Sequence, residues 1–319
     1  MAGPYSLAQA GRWFLESGIQ ESSGGVARYY RADIGKNQPV STEITGYFAS
    51  TMVFLSQRMP QGGYLNAAVK AADYLCQTAW NEELETFPFE DRSNLAYFFD
   101  CGIIIRGLLA VWRVTKEQRL LDTAIRASHG MIRDFRLEPI ISLPDKTPLP
   151  RQAHWSRSPG CYQLKSALAW FEVSEITGDG ALRDAYFEVL DSALGSHLDF
   201  LPGAADKASI MDRLHPYLYF LEGLTPVITR PDCAATLQHG LKTVAAYLDE
   251  IAPEFVRSDV IAQLMRLRKS DDSAALAEFQ TESGAFLFGR RGGKLIPHEN
   301  PVSTAFAIQA LEQDSGSPI

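Results

Sequence analysis

Apolar residues recur three and four positions apart along almost the whole chain, which is the spacing of one face of an α-helix. Alternating runs of β-branched residues, which would indicate strands, are few. The pattern therefore predicts an all-α protein. The predicted helices lie near residues 5–20, 43–58, 62–80, 95–114, 117–135, 159–176, 179–200, 211–229, 231–252, 256–268, 272–281 and 301–313.

Every second predicted helix is more apolar and richer in small residues than its neighbours. The segments "FFDCGIIIRGLLAVWRVTKEQRLLDTAIRASHGM" and "GCYQLKSALAWFEVSEITGDGALRDAYFEVLDSAL" share one plan, in which an apolar helix, a short turn and an amphipathic helix follow each other. Tandem hairpins also suit an open solenoid, but six of them with apolar first helices favour closure into an (α/α)6 toroid with inner and outer helices. No linker or change of composition divides the chain, so we expect one domain over residues 1–319.

The longest loops precede the inner helices. Examples are "ESSGGVARYYRADIGKNQPVST" and "GRRGGKLIPHENPVST", which are rich in glycine, arginine and aromatic residues. Loops of this length in a compact domain are usually functional. We therefore expect the binding site at the mouth of the toroid, where these loops and the starts of the inner helices meet.

Charge and composition exclude several classes of partner. The net charge is -8 and no run of Lys or Arg is present, which argues against nucleic acid. No apolar run reaches the roughly 18 residues of a membrane span, and no signal peptide is visible, so we expect a cytoplasmic protein. Four cysteines stand far apart and the motif His-Glu-Asn-Pro lacks the second histidine of a zinc helix, so neither a metal nor a cofactor is predicted.

Polar residues recur seven or eight positions before the centre of the inner helices. They are Glu43, Asp100, His215, Ser258 and Ser303, whereas the third inner helix has Gly160 there. Since Ser and Thr are ordinary N-caps, we assign Thr42, Ser258 and Ser303 to capping.

Two of these polar residues have apolar surroundings that a cap does not explain. Asp100 follows three aromatic residues, and His215 is followed by Pro216 and Tyr217. An acid or imidazole among aromatic side chains is costly to bury without a partner, so we expect both residues to line a cavity. Candidate substrate-binding residues at the same level are Tyr47, Trp155, Tyr162, Arg213, Tyr217, Arg257, Asp259, His298 and Glu299.

Segments such as "STEITGYFAS", "FFDCGIIIRGLLAV", "LHPYLYFLEGL" and "NPVSTAFAIQAL" resemble those of bacterial six-hairpin, (α/α)6-toroid proteins associated with polysaccharide biosynthesis and processing, the six-hairpin glycosidase-like group. The resemblance covers nearly the whole chain. It implies this fold and a carbohydrate ligand, but the wider group includes hydrolases, lyases, epimerases and terpenoid cyclases.

Sequence motifs of several enzyme classes with this fold are missing, which narrows the possible reactions. The Asp-x-Asp-Asp motif of terpenoid cyclases, the zinc ligands of lanthionine cyclases and the regular histidines of N-acylglucosamine 2-epimerases are absent. Unsaturated-glucuronyl hydrolases of this fold use acidic residues at the heads of inner helices. Glu43, Asp100, Asp212 and Asp259 match that placement.

The leading hypothesis is a glycoside hydrolase that binds an oligosaccharide or polysaccharide with acidic sugars. Asp100 would be the acid, and Glu43 or Asp212 the base. The first alternative is a uronate epimerase or polysaccharide lyase, in which His215 removes the proton next to a carboxylate and Arg213 neutralises that carboxylate. A non-catalytic glycan-binding scaffold and a terpenoid-cyclase-like protein are the remaining alternatives.

Overall fold

α-Helices make up most of the computed structural model, which describes residues 6–90, 93–152, 154–201, 206–270 and 273–312. Within these ranges the helices are α1 (Leu7–Glu16), α2 (Thr42–Arg58), α3 (Tyr64–Tyr74), α4 (Phe98–Thr115), α5 (Gln118–Gly130), α6 (Gln163–Thr177), α7 (Gly180–Ser196), α8 (Lys207–Gly223), α9 (Pro231–Ile251), α10 (Ser258–Arg268), α11 (Ser273–Ala277) and α12 (Pro301–Leu311). None of them is long and apolar enough to cross a membrane.

Each predicted helix has a counterpart in the structure, although several ends differ. The helices α3 and α5 continue into π-helical turns at Leu75–Ala79 and Met131–Phe135, which together fill the predicted lengths. The eleventh helix is much shorter than predicted. The predicted helix ends at residues 5, 272 and 313 lie outside the described residues.

Most of the short strands in the structure lie in segments that the sequence predicts as loops. The strands are β1 (Val26–Ala27), β2 (Tyr30–Arg31), β3 (Lys36–Asn37), β4 (Val40–Ser41), β5 (Leu95–Tyr97), β6 (Ile140–Ser142), β7 (Phe255–Arg257), β8 (Leu287–Arg291) and β9 (Lys294–Glu299). Most have two or three residues, which is too short for an alternating pattern to show. Two of the strands, β5 and β7, take the first residues of the helices predicted at 95–114 and 256–268. The strands β4, β5 and β7 run directly into α2, α4 and α10, so they fix where these helices begin.

The chain forms two compact units. The first unit comprises Met1–Ile19, Arg28–Gln38 and Leu198–Ile319, and the second comprises Gln20–Ala27 and Pro39–His197. The single domain expected from the sequence stays a prediction.

In the second unit, α4 packs between α2 and α6, and each of these three helices also packs against the helix that follows it in the chain. Two antiparallel pairs of strands adjoin the starts of two of these helices. The pair β1 and β4 adjoins α2, and the pair β5 and β6 adjoins α4. The three central helices are buried along most of their length, whereas α7 buries only one face. The predicted alternation of inner and outer helices is confirmed here.

Glycines let the inner helices of the second unit approach closely. A Cβ atom at Gly107 of α4 would lie 2.5 Å from the carbonyl oxygen of Gly46 in α2. On the other side of α4, a Cβ at Gly102 would lie 2.5 Å from the carbonyl oxygen of Ser166 in α6. Backbone meets backbone at both crossings, so a side chain has no room there.

In the first unit, α10 packs against both α8 and α12, with α9 on α8 and α11 on α10. The outer partner of α12 is α1, the first helix of the chain. A five-stranded antiparallel sheet in the order β3-β2-β9-β8-β7 precedes α10 and α12. This sheet holds the residues that come just before these two helices.

The helix crossing yields a test of stability. We expect Gly107→Ala to lower the free energy of unfolding by about 1–3 kcal/mol, because the added methyl group must push α2 and α4 apart. Gly195→Ala in α7 is the matched control, since nothing lies within 4 Å of its Cβ position. Its better helix propensity should raise stability by up to about 1 kcal/mol. Urea unfolding of both variants measures the difference, and equal stabilities would contradict the close crossing.

Candidate functional site

The predicted site residues divide between the two units. The first unit holds Asp212, Arg213, His215, Tyr217, Arg257, Asp259, His298 and Glu299, and the second holds Glu43, Tyr47, Asp100, Trp155 and Tyr162.

A buried ion pair marks the start of α10. Arg257 ends β7, and its Nε and Nη2 donate to the two carboxylate oxygens of Asp259 at 2.9 and 2.6 Å. The third nitrogen, Nη1, donates to Asp212 of α8 at 3.3 Å. Asp259 is only 2% exposed, whereas the side chain of Asp212 is 44% exposed. Arg257 is thus held firmly by one carboxylate and loosely by another that reaches the surface.

His215 of α8 lies beside this ion pair, and its Nδ1 faces two acceptors. The side-chain oxygen of Gln263 in α10 is 2.6 Å from Nδ1, and a carboxylate oxygen of Asp259 is 3.6 Å away. An amide oxygen can only accept, so Nδ1 carries the proton. The lone pair of the neutral ring is therefore on Nε2.

Burial and charge fix the protonation states in this cluster. Burial lowers the pKa of His215 to about 4, although the charge of Asp259 opposes this shift. Burial acts to raise the pKa of Asp259, but Arg257 outweighs it and the pKa is lowered. At neutral pH the cluster consequently has a neutral imidazole beside an ionised carboxylate.

Gln263 was not among the residues expected from the sequence. It is fully buried in the second turn of α10, and its side-chain nitrogen has no hydrogen-bond partner among the described residues. The same holds for the hydroxyl of Ser303 in α12. An unpaired buried donor costs about 1–3 kcal/mol, so a polar group of a ligand that reached either atom would be stabilised. The sequence signal for Gln263 is a lone amide within the apolar stretch "DVIAQLM".

Arg213 and Tyr217 both contact Phe200. The Arg213 guanidinium donates to the Phe200 carbonyl at 3.0 Å and lies over its ring. Tyr217 stacks on the same ring with centroids 6.5 Å apart. The arginine of the His215 cluster is therefore Arg257, whereas the sequence analysis pairs His215 with Arg213.

His298 and Glu299 belong to β9. His298 stacks on Tyr29 with ring centroids 4.6 Å apart, and its pKa is lowered by burial and by nearby Arg31. Glu299 accepts hydrogen bonds from the Trp13 indole at 2.8 Å and from the Ser283 hydroxyl at 3.1 Å. Glu299 therefore ties α1 to the sheet.

In the second unit, Asp100 stands in the first turn of α4 and is 5% exposed. Its neighbour Phe99 packs against Tyr162 with ring centroids 6.1 Å apart, and Trp155 packs edge-on against Tyr162 at 5.1 Å. Burial, followed by the charge of Asp100, raises the pKa of Tyr162. Here the structure brings together Asp100, Trp155 and Tyr162, as the shared level of these residues in the sequence predicts.

Glu43 lies in the first turn of α2 and is half-buried, and Tyr47 lies one turn further and is buried. The position of Glu43 follows from its neighbours. Ser41, at the end of β4, caps α2 by accepting from the Ile44 amide, so Glu43 falls in the first turn, where a carboxylate suits the helix dipole.

The predicted caps are wrong by one to three residues. Thr42 donates its hydroxyl to the Pro88 carbonyl, and Ser258 donates to the Leu287 carbonyl of β8. The cap of α12 is Asn300, which accepts from two amides including that of Ser303. The strands before these helices continue to the helix start, so the capping position comes earlier than the sequence pattern indicates.

No family model and no curated protein matches the chain. The structure is similar to a sugar epimerase from a ruminal bacterium, with 10% identity over 98% of this chain and 100% of that chain and a TM-score of 0.69. It is also similar to cellobiose 2-epimerase from Spirochaeta thermophila DSM 6192, with 13% identity over 94% and 93% and a TM-score of 0.68. A third similar structure is unsaturated glucuronyl hydrolase from Bacillus sp. GL1, with 13% identity over 95% and 94% and a TM-score of 0.65.

Sequence identities this low show a shared fold and nothing about the roles of single residues. The predicted (α/α)6-toroid fold is confirmed. The roles of individual residues have to come from the chemistry of this chain.

The lowered pKa of His215 predicts how stability depends on pH. The imidazole takes up a proton near pH 6.5 in the unfolded chain but only near pH 4 in the folded protein. The unfolded state therefore binds more protons in this window, and stability is complete above pH 6.5 and falls as the pH is lowered towards 4.

We expect this residue to contribute a slope of up to about 1.4 kcal/mol per pH unit between those values. Urea unfolding across the window should show a smaller slope for His215→Gln than for the parent protein. The control is His129→Gln in α5, whose side chain is 47% exposed. An identical slope in all three proteins would contradict the buried, neutral state of His215.

Proposed function

We propose that the protein is a carbohydrate-active enzyme that moves a proton at a sugar carbon, as an epimerase or isomerase does. The observation that carries this proposal is the 2.6 Å contact between Nδ1 of His215 and Oε1 of Gln263 in a buried cluster. This contact leaves Nε2 of a neutral imidazole as a proton acceptor. The similar structures named as a sugar epimerase and a cellobiose 2-epimerase support the same class of reaction.

The reaction begins when Nε2 takes the proton from a carbon next to a carbonyl or carboxylate group. The electrons of the C–H bond move towards the carbonyl oxygen, and an enediolate forms. If the enediolate turns in the site, the imidazolium returns the proton to the opposite face of the same carbon and gives the epimer. Return to the neighbouring carbonyl carbon, with a proton passing between the two enediolate oxygens, gives the isomer. The negative charge of Asp259, 3.6 Å from Nδ1, stabilises the imidazolium that exists in between.

The other members of the cluster support this step. Arg257 keeps Asp259 ionised, because its two hydrogen bonds and its charge favour the carboxylate. Asp212 is the exposed carboxylate of the group and is suited to accept hydrogen bonds from sugar hydroxyls. The cluster thus combines a base, a group that stabilises its protonated form and a group for binding.

Hydrolysis of a glycosidic bond is the second candidate, and the surroundings of Asp100 favour it. This carboxyl group is 5% exposed beside Phe99 and near Tyr162, which is the apolar setting typical of the acid in glycoside hydrolases. Glu43, in the first turn of α2, would be the second carboxylate. The unsaturated glucuronyl hydrolase among the similar structures supports this reading.

Proton NMR in deuterium oxide tests the proposal. We expect the protein to exchange a carbon-bound hydrogen of a neutral or uronate-containing oligosaccharide for deuterium. His215→Gln should slow the exchange by roughly 100-fold or more, since positioned acid–base groups contribute about that much. The exposed His129→Gln variant should keep the parent rate.

The same spectra separate the alternatives. New reducing-end signals that depend on Asp100 and not on His215 would refute proton transfer and support hydrolysis. New alkene signals would indicate elimination. Line broadening of a sugar without any chemical change would indicate a binding protein.

Gln263 offers a further test, because it would act by positioning His215. Gln263→Glu places a carboxylate against Nδ1, so it should raise the pKa of His215 and move the acid limb of the pH profile of kcat/KM to higher pH. Gln263→Leu removes the acceptor and should lower kcat without this displacement. A purely structural role would give both variants the same profile, and NMR titration of the His215 ring provides an independent reading.

A further inference from the structure

A cleft of about 370 Å³ opens in the second unit where the π-helical turn after α5 ends. Its lining residues are Arg133, Asp134, Phe135, Arg136, Lys146 and Pro148, and we call it the basic cleft. None of these residues was a candidate in the sequence analysis. The lining carries three cations and one carboxylate, so its formal charge is positive although the whole protein is negative.

The single carboxylate of the basic cleft is fully engaged. Asp134 accepts from Nε and Nη2 of Arg133 at 2.8 and 2.7 Å, and Nζ of Lys146 lies 3.0 Å from the same side chain. Burial acts to raise the pKa of Asp134, but these partners outweigh it and the pKa is lowered. Asp134 is 6% exposed, so it fixes two cations in the wall and offers little charge of its own to a ligand.

Among the cations of the cleft, Arg136 is the one for which the described residues supply no ion pair or side-chain hydrogen bond. It is exposed, and no carboxylate of the described residues lies within ion-pair distance of it. Its backbone is left-handed, with φ of 45°, as is that of Leu137 at 65°. The Leu137 carbonyl accepts from the Gln163 side chain at 2.9 Å, which holds this bend in place. The Arg136 guanidinium therefore lines the cleft with its N–H donors available to a ligand.

The basic cleft lies at the end of the second unit where the inner helices begin. The Phe98 amide, at the start of α4, donates to the Pro139 carbonyl at 2.9 Å, and Gln163, at the start of α6, binds Leu137. The strand β6, which follows, pairs with β5 immediately before α4. Asp100 and Tyr162 belong to the same helix starts.

We propose that the basic cleft binds the carboxylate group of an acidic sugar within the glycan, with Arg136 as the residue that recognises it. The planar fork of a guanidinium matches a carboxylate in two parallel hydrogen bonds, and Lys146 adds favourable charge. The charge of Arg133 is already neutralised by Asp134 and by Glu85, whose carboxylate lies 2.8 Å from Nη1 of Arg133. This proposal rests on the proposed function only in taking a glycan as the ligand. It makes uronate-containing glycans the preferred substrate class.

Isothermal titration calorimetry with trigalacturonate, and with maltotriose as a neutral counterpart, tests the proposal. We expect Arg136→Gln to weaken trigalacturonate binding roughly tenfold or more, since a hydrogen bond between charged groups contributes about that much. Maltotriose binding should not change. Raising the salt concentration should weaken trigalacturonate binding more in the parent protein than in Arg136→Gln.

Two matched variants identify the cause of any loss. Arg183→Gln removes another exposed arginine from α7, outside the cleft, and should bind trigalacturonate like the parent protein. Arg136→Lys keeps the charge but removes the fork, so an intermediate affinity is expected. Unchanged binding by Arg136→Gln, or an equal loss in Arg183→Gln, would overturn the proposal.

The remaining outcomes are also decisive. If inorganic sulfate binds the cleft as tightly as trigalacturonate does, the cleft is a general anion site and not a sugar site, and the proposal is overturned. If the parent protein does not bind trigalacturonate, the proposal fails, whatever the result of the deuterium exchange. Calorimetry measures binding at the cleft without turnover, whereas deuterium exchange in His215→Gln reports on the proposed reaction, so the two proposals can fail separately.

Discussion

Burial of the inner helices on every side is the constraint on which the rest of the structure depends. A helix enclosed in this way keeps a charged side chain only where a partner is built in, because an unpaired buried charge is very costly. Arg106 of α4 binds Glu172 of α6 at 2.7 Å, and Arg266 of α10 binds Glu222 of α8 at 2.9 Å. Elsewhere in the buried parts of these helices the side chains are mostly apolar. The same constraint that fills the core therefore explains why these charges are paired.

The cluster around His215 is not explained by stability. Desolvation of Arg257 and Asp259 offsets much of their attraction, and apolar residues of similar size would serve the fold at least as well. The ion pair does provide a fixed carboxylate, that of Asp259, near Nδ1 of an imidazole that burial keeps neutral. Gln263 completes the arrangement by deciding which ring nitrogen carries the proton. A group that is costly for folding and ordered to this degree is typical of a functional site.

The sequence predicts the helices well, because their period persists over long segments, and it predicts which of them are inner helices, because apolar and small residues are concentrated there. It also finds Asp100, Trp155 and Tyr162 together. It does not find Gln263, since the contact with His215 joins two helices that are far apart in the chain. It pairs His215 with Arg213, whereas the arginine beside His215 in the structure is Arg257. Adjacency in sequence does not tell which way a side chain on α8 points. The bend at Arg136 has no sequence signal, since neither Arg136 nor Leu137 is a residue that favours left-handed backbone.

The pairing of α1 with α12 has a consequence for biosynthesis. The first unit combines Met1–Ile19 and Arg28–Gln38 with Leu198–Ile319, whereas nearly all of the second unit is one continuous stretch. On the ribosome, the second unit can therefore collapse while the first still lacks most of its core. Because domains fold as their residues emerge, at about 5–20 residues per second, α1 must wait with its apolar face unpaired until Pro301–Leu311 has been made. During that interval the side chains of Trp13 and Phe14, which are buried in the folded protein, are open to a chaperone.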